Sequence, residues 1–400
     1  MAAAAPPDGP RLSGLVQTDL RFARDASDQL SDGTGAPLNR DAFVLRRGRL
    51  RVEGGAALVA FAVEGDFNTV DGAHAGFRQV EGALQWSGAA GGAFEDLSIR
   101  LGAGVFATPF GHAVYVERDA DRLFTERPKM ADALFPGQLD VGARLCVGLP
   151  PAQLIVALQN GEPLAEDAFP GVDPNAAKDL VARAQSSVAL GSRVRLSGGL
   201  SMLSGTGFHA GTQPTKDRFV WRDLNEDGVV QTSEITSLPA AAGVRSRNFD
   251  RWGLGADLQI LVQLPVLGPL QVQLEGALAS NLDRGLRPAD PVLLGRAQRA
   301  LGGSAAIIQA LGSFDLGLRL DHYAPELDAT ETRAGGVVRA DEHFTTWTAA
   351  GGWRVDDGGP IQGRLVVEYR HEDDTLGRDA AGAPADLDND ALTARLQVTF

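Results

Sequence analysis

The chain has 400 residues, 44% of them hydrophobic, with 49 glycines, one cysteine and a formal net charge of -14 at pH 7. That acidity, with no basic tail or basic-aromatic patch to offset it, argues against a nucleic-acid partner, and the lone Cys146 excludes an intramolecular disulfide. The most apolar stretch, 260–274, is broken by Gln263, Pro265, Gly268, Pro269, Gln271 and Gln273, so a spanning helix of about 20 apolar residues is excluded as well.

What the sequence does carry is alternation of apolar and polar residues. Residues 1–10 are expected to be a tail; the stretch 1–7 has neither the basic start nor the apolar core of a secretory signal, so a mature, already processed chain is expected. Strands are predicted at 11–23, 41–53, 57–68, 76–87, 95–106, 139–149, 152–160 and 180–190. A second set follows at 192–204, 250–264, 268–281, 301–311, 313–323, 342–353, 361–372 and 390–400. That is about sixteen, an even number, as bacterial single-chain barrels require.

The connections fall into two classes. Those at 54–55, 87–94, 150–151, 191, 265–268, 312 and 356–360 are short. Those at 24–40, 69–75, 107–138, 161–179, 205–249, 282–300, 324–341 and 373–389 are mostly long and polar. The expected fold is therefore all-β: one transmembrane antiparallel β-barrel over 11–400, with short periplasmic turns, long extracellular loops and lipid covering its apolar side. A soluble solenoid would show repeats at a fixed period, and none is present.

Parity then assigns faces, because neighbouring strand residues point opposite ways. The outward set includes Val16, Leu20, Phe22, Leu50, Phe61, Leu84, Leu101, Leu254, Leu318 and Val367, with Trp86, Phe106, Trp252, Trp347, Trp353, Tyr369 and Phe400 as expected girdle aromatics. The inward set holds Arg47, Arg49 and Arg51 on one strand, then Arg100, Arg144, Arg193, Arg195, Arg319, Arg364 and Arg395. Inward acids are Asp19, Glu64, Asp66, Glu81, Asp257, Glu275, Asp315, Asp321 and Glu368. An arginine-biased wall draws anions; the same residues paired with the acids would only brace the barrel. The loop 107–138 carries Glu117, Asp119, Asp121, Glu126 and Asp132 and is expected to fold inward as the constriction, setting a transverse field against that wall.

Part of the sequence resembles a known family. Phe43-Val44-Leu45-Arg46-Arg47-Gly48-Arg49-Leu50, Val63-Glu64-Gly65-Asp66-Phe67, Gly104-Val105-Phe106-Ala107-Thr108-Pro109-Phe110-Gly111 and Thr125-Glu126-Arg127 are similar to the phosphate-selective porins. The resemblance runs over 43–161 and implies a sixteen-stranded outer-membrane barrel, usually a homotrimer, passing small anionic solutes along an arginine- and lysine-lined pore. Arg47 and Arg49 sit on the matching strand. The lysines here are only Lys129, Lys178 and Lys216, all in predicted loops, so phosphate specificity is not implied for this chain.

A second motif lies in the 205–249 loop. Residues 223–234 follow the twelve-residue calcium-loop pattern: Asp223, Asn225 and Asp227 supply oxygens, Gly228 the bend, Val229 a carbonyl, Gln231 a water-mediated position and Glu234 a closing carboxylate. A structural calcium ion ordering the loop is expected, with the convincing helices of an EF-hand absent. No nucleophile elbow, metalloprotease helix, phosphate loop or dinucleotide fingerprint occurs, so an enzyme is not expected. Two readings remain: a passive diffusion channel with anion preference, and a closed barrel that binds a surface partner through its calcium-ordered loop.

Overall fold

A strand that is apolar on one side and polar on the other must cover both, and this chain does so by closing a ring. The computed structural model describes residues 9–24, 34, 38–70, 72–88, 96–162, 173–221, 229–232, 235–333, 336–340, 342–355, 358–375, 377–378, 384–387 and 389–400. Sixteen strands form the wall. They are β1 (Arg11–Ala23), β2 (Ala42–Ala56), β3 (Val59–Asn68), β4 (His74–Ser87), β5 (Ser98–Ala107), β6 (Leu139–Leu149), β7 (Ala152–Gln159) and β8 (Asp179–Leu190). The second half comprises β9 (Val194–His209), β10 (Arg247–Leu264), β11 (Gly268–Ser280), β12 (Arg299–Leu311), β13 (Phe314–Ala324), β14 (Phe344–Val355), β15 (Gln362–Asp374) and β16 (Ala391–Thr399). Each pairs antiparallel with the next, and β16 returns to β1 with Val398 opposite Val16, so no sheet edge is left open.

The outward faces are apolar and solvent-accessible, as a lipid-facing surface must be. Leu50, Leu84, Leu101, Leu254, Leu316, Leu318, Leu365 and Val367 are all exposed. Phe22, Phe43, Phe67, Phe77 and Trp347 ring one rim; Phe61, Trp86, Phe314 and Trp353 ring the other. Phe106 departs from the expected girdle: it is fully buried inside the barrel, with the Arg144 guanidinium 4.8 Å over its ring. It shares parity with Arg100 on β5, so a wall that turns one inward turns both inward.

β9 and β10 run further than expected, and their ladder does not stop at the barrel. The register of Val194 opposite Val262 continues unshifted to His209 opposite Arg247. It persists through the Thr212–Val244 bridge and the Thr215 N–H to Ala241 carbonyl bond of 2.9 Å. It ends in a small sheet pairing Arg218–Trp221 with Ile235–Leu238, Trp221 lying opposite Ile235. At about 3.4 Å per residue, residues 210–221 form a projecting ribbon of at most about 40 Å. Both its faces are exposed.

The interior is not uniformly polar. On β7 to β12 many inward positions are small or apolar, including Ala157, Val181, Leu203, Ala277, Ala279 and Ala300, beside the buried pairs Arg183–Asp257 and Arg251–Asp179. The loop after β5 fills the space they leave with Phe110, Val114, Met130, Leu134 and Phe135, each at most 5% exposed. Two short helices, α1 (His112–Tyr115) and α2 (Lys129–Leu134), lie within this loop. The arginine wall expected from the second strand to the ninth is therefore continuous only to β6; beyond it Arg183 on β8 is buried against Asp257, and a hydrophobic core occupies the other side of the lumen.

Candidate functional site

The arginine wall begins on β2, where alternate residues Arg47, Arg49 and Arg51 point inward. Two β-bulges add to it. Between β1 and β2, Gln17 pairs with Arg47 and Thr18 with Leu45, leaving Arg46 as the extra residue. Between β3 and β4, Glu64 pairs with Gln79 and Gly65 with Phe77, leaving Arg78 unpaired in the ladder. A bulge re-aims the side chain it inserts, and both of these aim a guanidinium at the inward loop.

Two loop carboxylates receive them. Asp119 is hydrogen-bonded by Arg49 and Arg122, with Arg47 at 3.6 Å and Arg78 at 3.8 Å. Glu126 is held by Arg46 at 2.8 Å, Arg47 at 3.3 Å and Arg395 at 3.4 Å. Burial alone would raise both acids; the surrounding guanidiniums overturn it and hold both well below the usual carboxylate range. The loop is also tied to the far wall. The Glu275 carboxylate accepts from the His112 and Ala113 N–H groups at 2.9 and 3.0 Å, and Ser201 Oγ accepts from the Gly111 N–H. Gly111 has φ +64°, and a Cβ there would sit 2.1 Å from Glu275 Oε1, so this approach requires glycine. Thr125 donates its N–H to Glu368 at 2.7 Å, and Lys129 Nζ meets Glu372 at 2.8 Å.

Beneath the loop lies a cavity of about 950 Å³. It reaches from Leu261, Pro269, Gln362 and Phe400 at the periplasmic rim to Ala107 and Gln138 at the loop's root. Six arginines line it (Arg49, Arg51, Arg78, Arg118, Arg354 and Arg364), and so do six carboxylates (Glu53, Glu64, Glu117, Asp119, Asp121 and Asp315). All six arginines are ion-paired.

The expected pore-lining set is thus divided. Arg49, Arg51 and Arg364 line the cavity. Arg47 and Arg319 are buried braces, Arg319 pairing with Asp321 at 3.0 Å and donating to the Glu126 carbonyl at 2.7 Å. Arg100 and Arg144 converge on Glu81 at 3.5 and 2.6 Å, away from the cavity. Arg193 lies in the turn before β9 and Arg195 just inside it; both are exposed and without an acidic partner among the described residues. Neither belongs to the wall, because parity cannot say how deep along a strand a residue sits. Strict alternation also missed Arg46 and Arg78, since a bulge leaves no mark in a period-two pattern. Of the expected calcium ligands, Asp223, Asn225, Asp227 and Glu234 lie outside the described residues, while Val229 and Gln231 stand near the ribbon tip.

The ring of sixteen antiparallel strands, the apolar belt and the inward loop decide the architecture. The fold is that of the sixteen-stranded outer-membrane porins. OmpT of Vibrio cholerae, in its trimer form, superposes with a TM-score of 0.53 at 11% identity, covering 98% of this chain and 99% of that one. The outer-membrane channel DcaP of Acinetobacter baumannii gives 0.55 at 12% identity over 98% and 97% of the two chains. An anion-selective porin from Comamonas acidovorans gives 0.52 at 10% identity over 98% of each. No protein-family profile matches the sequence, and no curated protein is similar to it.

Proposed function

We propose that the protein is a passive diffusion channel for small hydrophilic solutes, with a modest preference for anions. The observation that carries this reading is the charged cavity of about 950 Å³ running along the arginine wall inside a lipid-facing barrel. By count the lining favours neither sign. By accessibility it leans to anions: the side chains of Arg51 and Arg78 are 28% and 23% exposed, against 17% for Glu64 and 9% for Asp119. The porin likeness supports a channel; DcaP is described as an outer-membrane channel and the Comamonas protein as anion-selective.

Assembly as a homotrimer belongs to the same proposal. So does a structural calcium ion at 223–234, a reading that rests on ligand spacing. The rung pairing Trp221 with Ile235 adds support, since it brings together the chain on either side of the loop, as a first and a twelfth ligand require.

Single-channel recording in a planar bilayer tests the channel reading, with the reversal potential taken across a potassium chloride gradient. Open steps with chloride preferred are expected. Silence from folded, inserted protein would overturn the channel in favour of a closed barrel presenting its ribbon to a surface partner.

A further inference from the structure

We propose that most of the anion preference arises at the extracellular mouth, from Arg245 and Arg247 on the projecting ribbon, before a solute reaches the inward loop. This rests on the channel reading. The unshifted register is the first support. On β10 the buried Arg251 and Asp257 face the lumen, and the same parity carries to Arg247 at the strand's end, with Arg245 two residues beyond it on the ribbon. Deeper on the same face, Arg251 is held by Asp179 at 3.0 Å.

Pairing is the second support. Every arginine lining the cavity has a carboxylate partner, so the field there largely cancels. Arg245 and Arg247 are exposed and make no ion pair among the described residues. Asp290 is hydrogen-bonded to His209 at 2.6 Å and Asp217 accepts from the Ala240 N–H at 2.5 Å, and neither is ion-paired with Arg245 or Arg247. Unpaired charge at an entrance raises the local concentration of counter-ions, and salt screens the effect.

The consequence is a selectivity that depends on salt. Wild type, Arg245→Gln/Arg247→Gln and Arg245→Lys/Arg247→Lys are compared in planar bilayers at about 0.1 M and about 1 M potassium chloride, where the Debye length falls from about 10 to about 3 Å. At the lower salt the glutamine variant is expected to lose about threefold in anion-over-cation permeability, and the lysine variant to keep it. At the higher salt all three converge. Both sites are exposed, so folding is unaffected, and heat-modifiable electrophoretic mobility checks it. An unchanged permeability ratio in the glutamine variant at low salt, or a loss that persists at high salt, overturns the proposal while the channel reading stands. Absence of open steps in wild type instead overturns the channel reading itself.

Discussion

Asp119→Asn is the sharpest test of how the inward loop is held. The carboxylate is hydrogen-bonded by two arginines and has two more within 3.8 Å. Removing its charge takes one carboxylate from four guanidiniums that each keep another, Glu126 for Arg47, Asp66 for Arg49, Glu64 for Arg78 and Glu117 for Arg122, so the cost stays below the about 3–5 kcal/mol of a buried charge left wholly unpaired. The loop does not leave the lumen, because Glu275, Glu368 and Glu372 still hold it at points distant from residue 119. The cavity lining then carries six arginines against five carboxylates. An anion passing about 7 Å away gains about 0.6 kcal/mol at the dielectric constant of water, and a cation loses as much. Together these shift the permeability ratio about sevenfold towards anions at low salt. Reversal potentials of the variant and wild type measure this directly. A ratio unmoved by the substitution, in protein that still inserts and conducts, would show that solutes do not pass Asp119, and the reasoning from the arginine wall would fail.

Other perturbations probe separate parts of the molecule. Phe110→Ala removes a buried ring from the core between loop and wall, and is expected to cost about 3–5 kcal/mol and lower the thermal unfolding midpoint in detergent. Gly255→Val would drive a Cβ to 2.7 Å of the same ring, so it is expected to raise open-channel noise; a quiet channel would detach Phe110 from loop position. Deletion of 115–130 should increase single-channel conductance, and unchanged conductance would remove the loop from the constriction. Because Asp119 and Glu126 sit below the ordinary carboxylate range in the folded state, their contribution is complete above about pH 4 and is lost only as pH falls through their folded values. The difference in unfolding midpoint between wild type and Asp119→Asn is therefore expected to be flat from neutral pH to about pH 5, and a difference that shrinks within that window would contradict the assignment. Calcium binding near 10⁻⁴–10⁻³ M, read by titration calorimetry and abolished in Glu234→Gln, is expected of the 223–234 loop; equal heats from both proteins would remove the site.

Sequence alternation revealed the wall because lipid and water impose opposite demands on adjacent residues, and a period of two is the direct record of that demand. The acids Asp19, Glu81, Asp257, Asp321 and Glu368 were readable inward for the same reason, and all five are buried there. The interior core was harder to see. Ala157, Ala277 and Ala300 look, one at a time, like any small strand residue, and only the rings of Phe106 and Phe110 placed beside them show that a loop is packed there. The two bulges were invisible for a related reason: one inserted residue among ten does not disturb a composition, yet it turned Arg46 and Arg78 onto the loop. Pairing was also beyond parity, which says that Arg49 points inward but not that Asp119 waits for it across the lumen.

The unshifted register of the ribbon has a mechanical meaning. The rungs keep one register, yet strand pairing lapses over 210–217 and 239–246 save for the Thr212–Val244 bridge, and Gly211 beside it has φ +81°, so the arm meets the stiff β9–β10 ladder at a joint. The ladder carries Gly253 and Gly255, the two positions against which the Phe110 ring rests. A load on the tip near Trp221 is therefore taken up at the joint, and the socket that seats the inward loop is spared it.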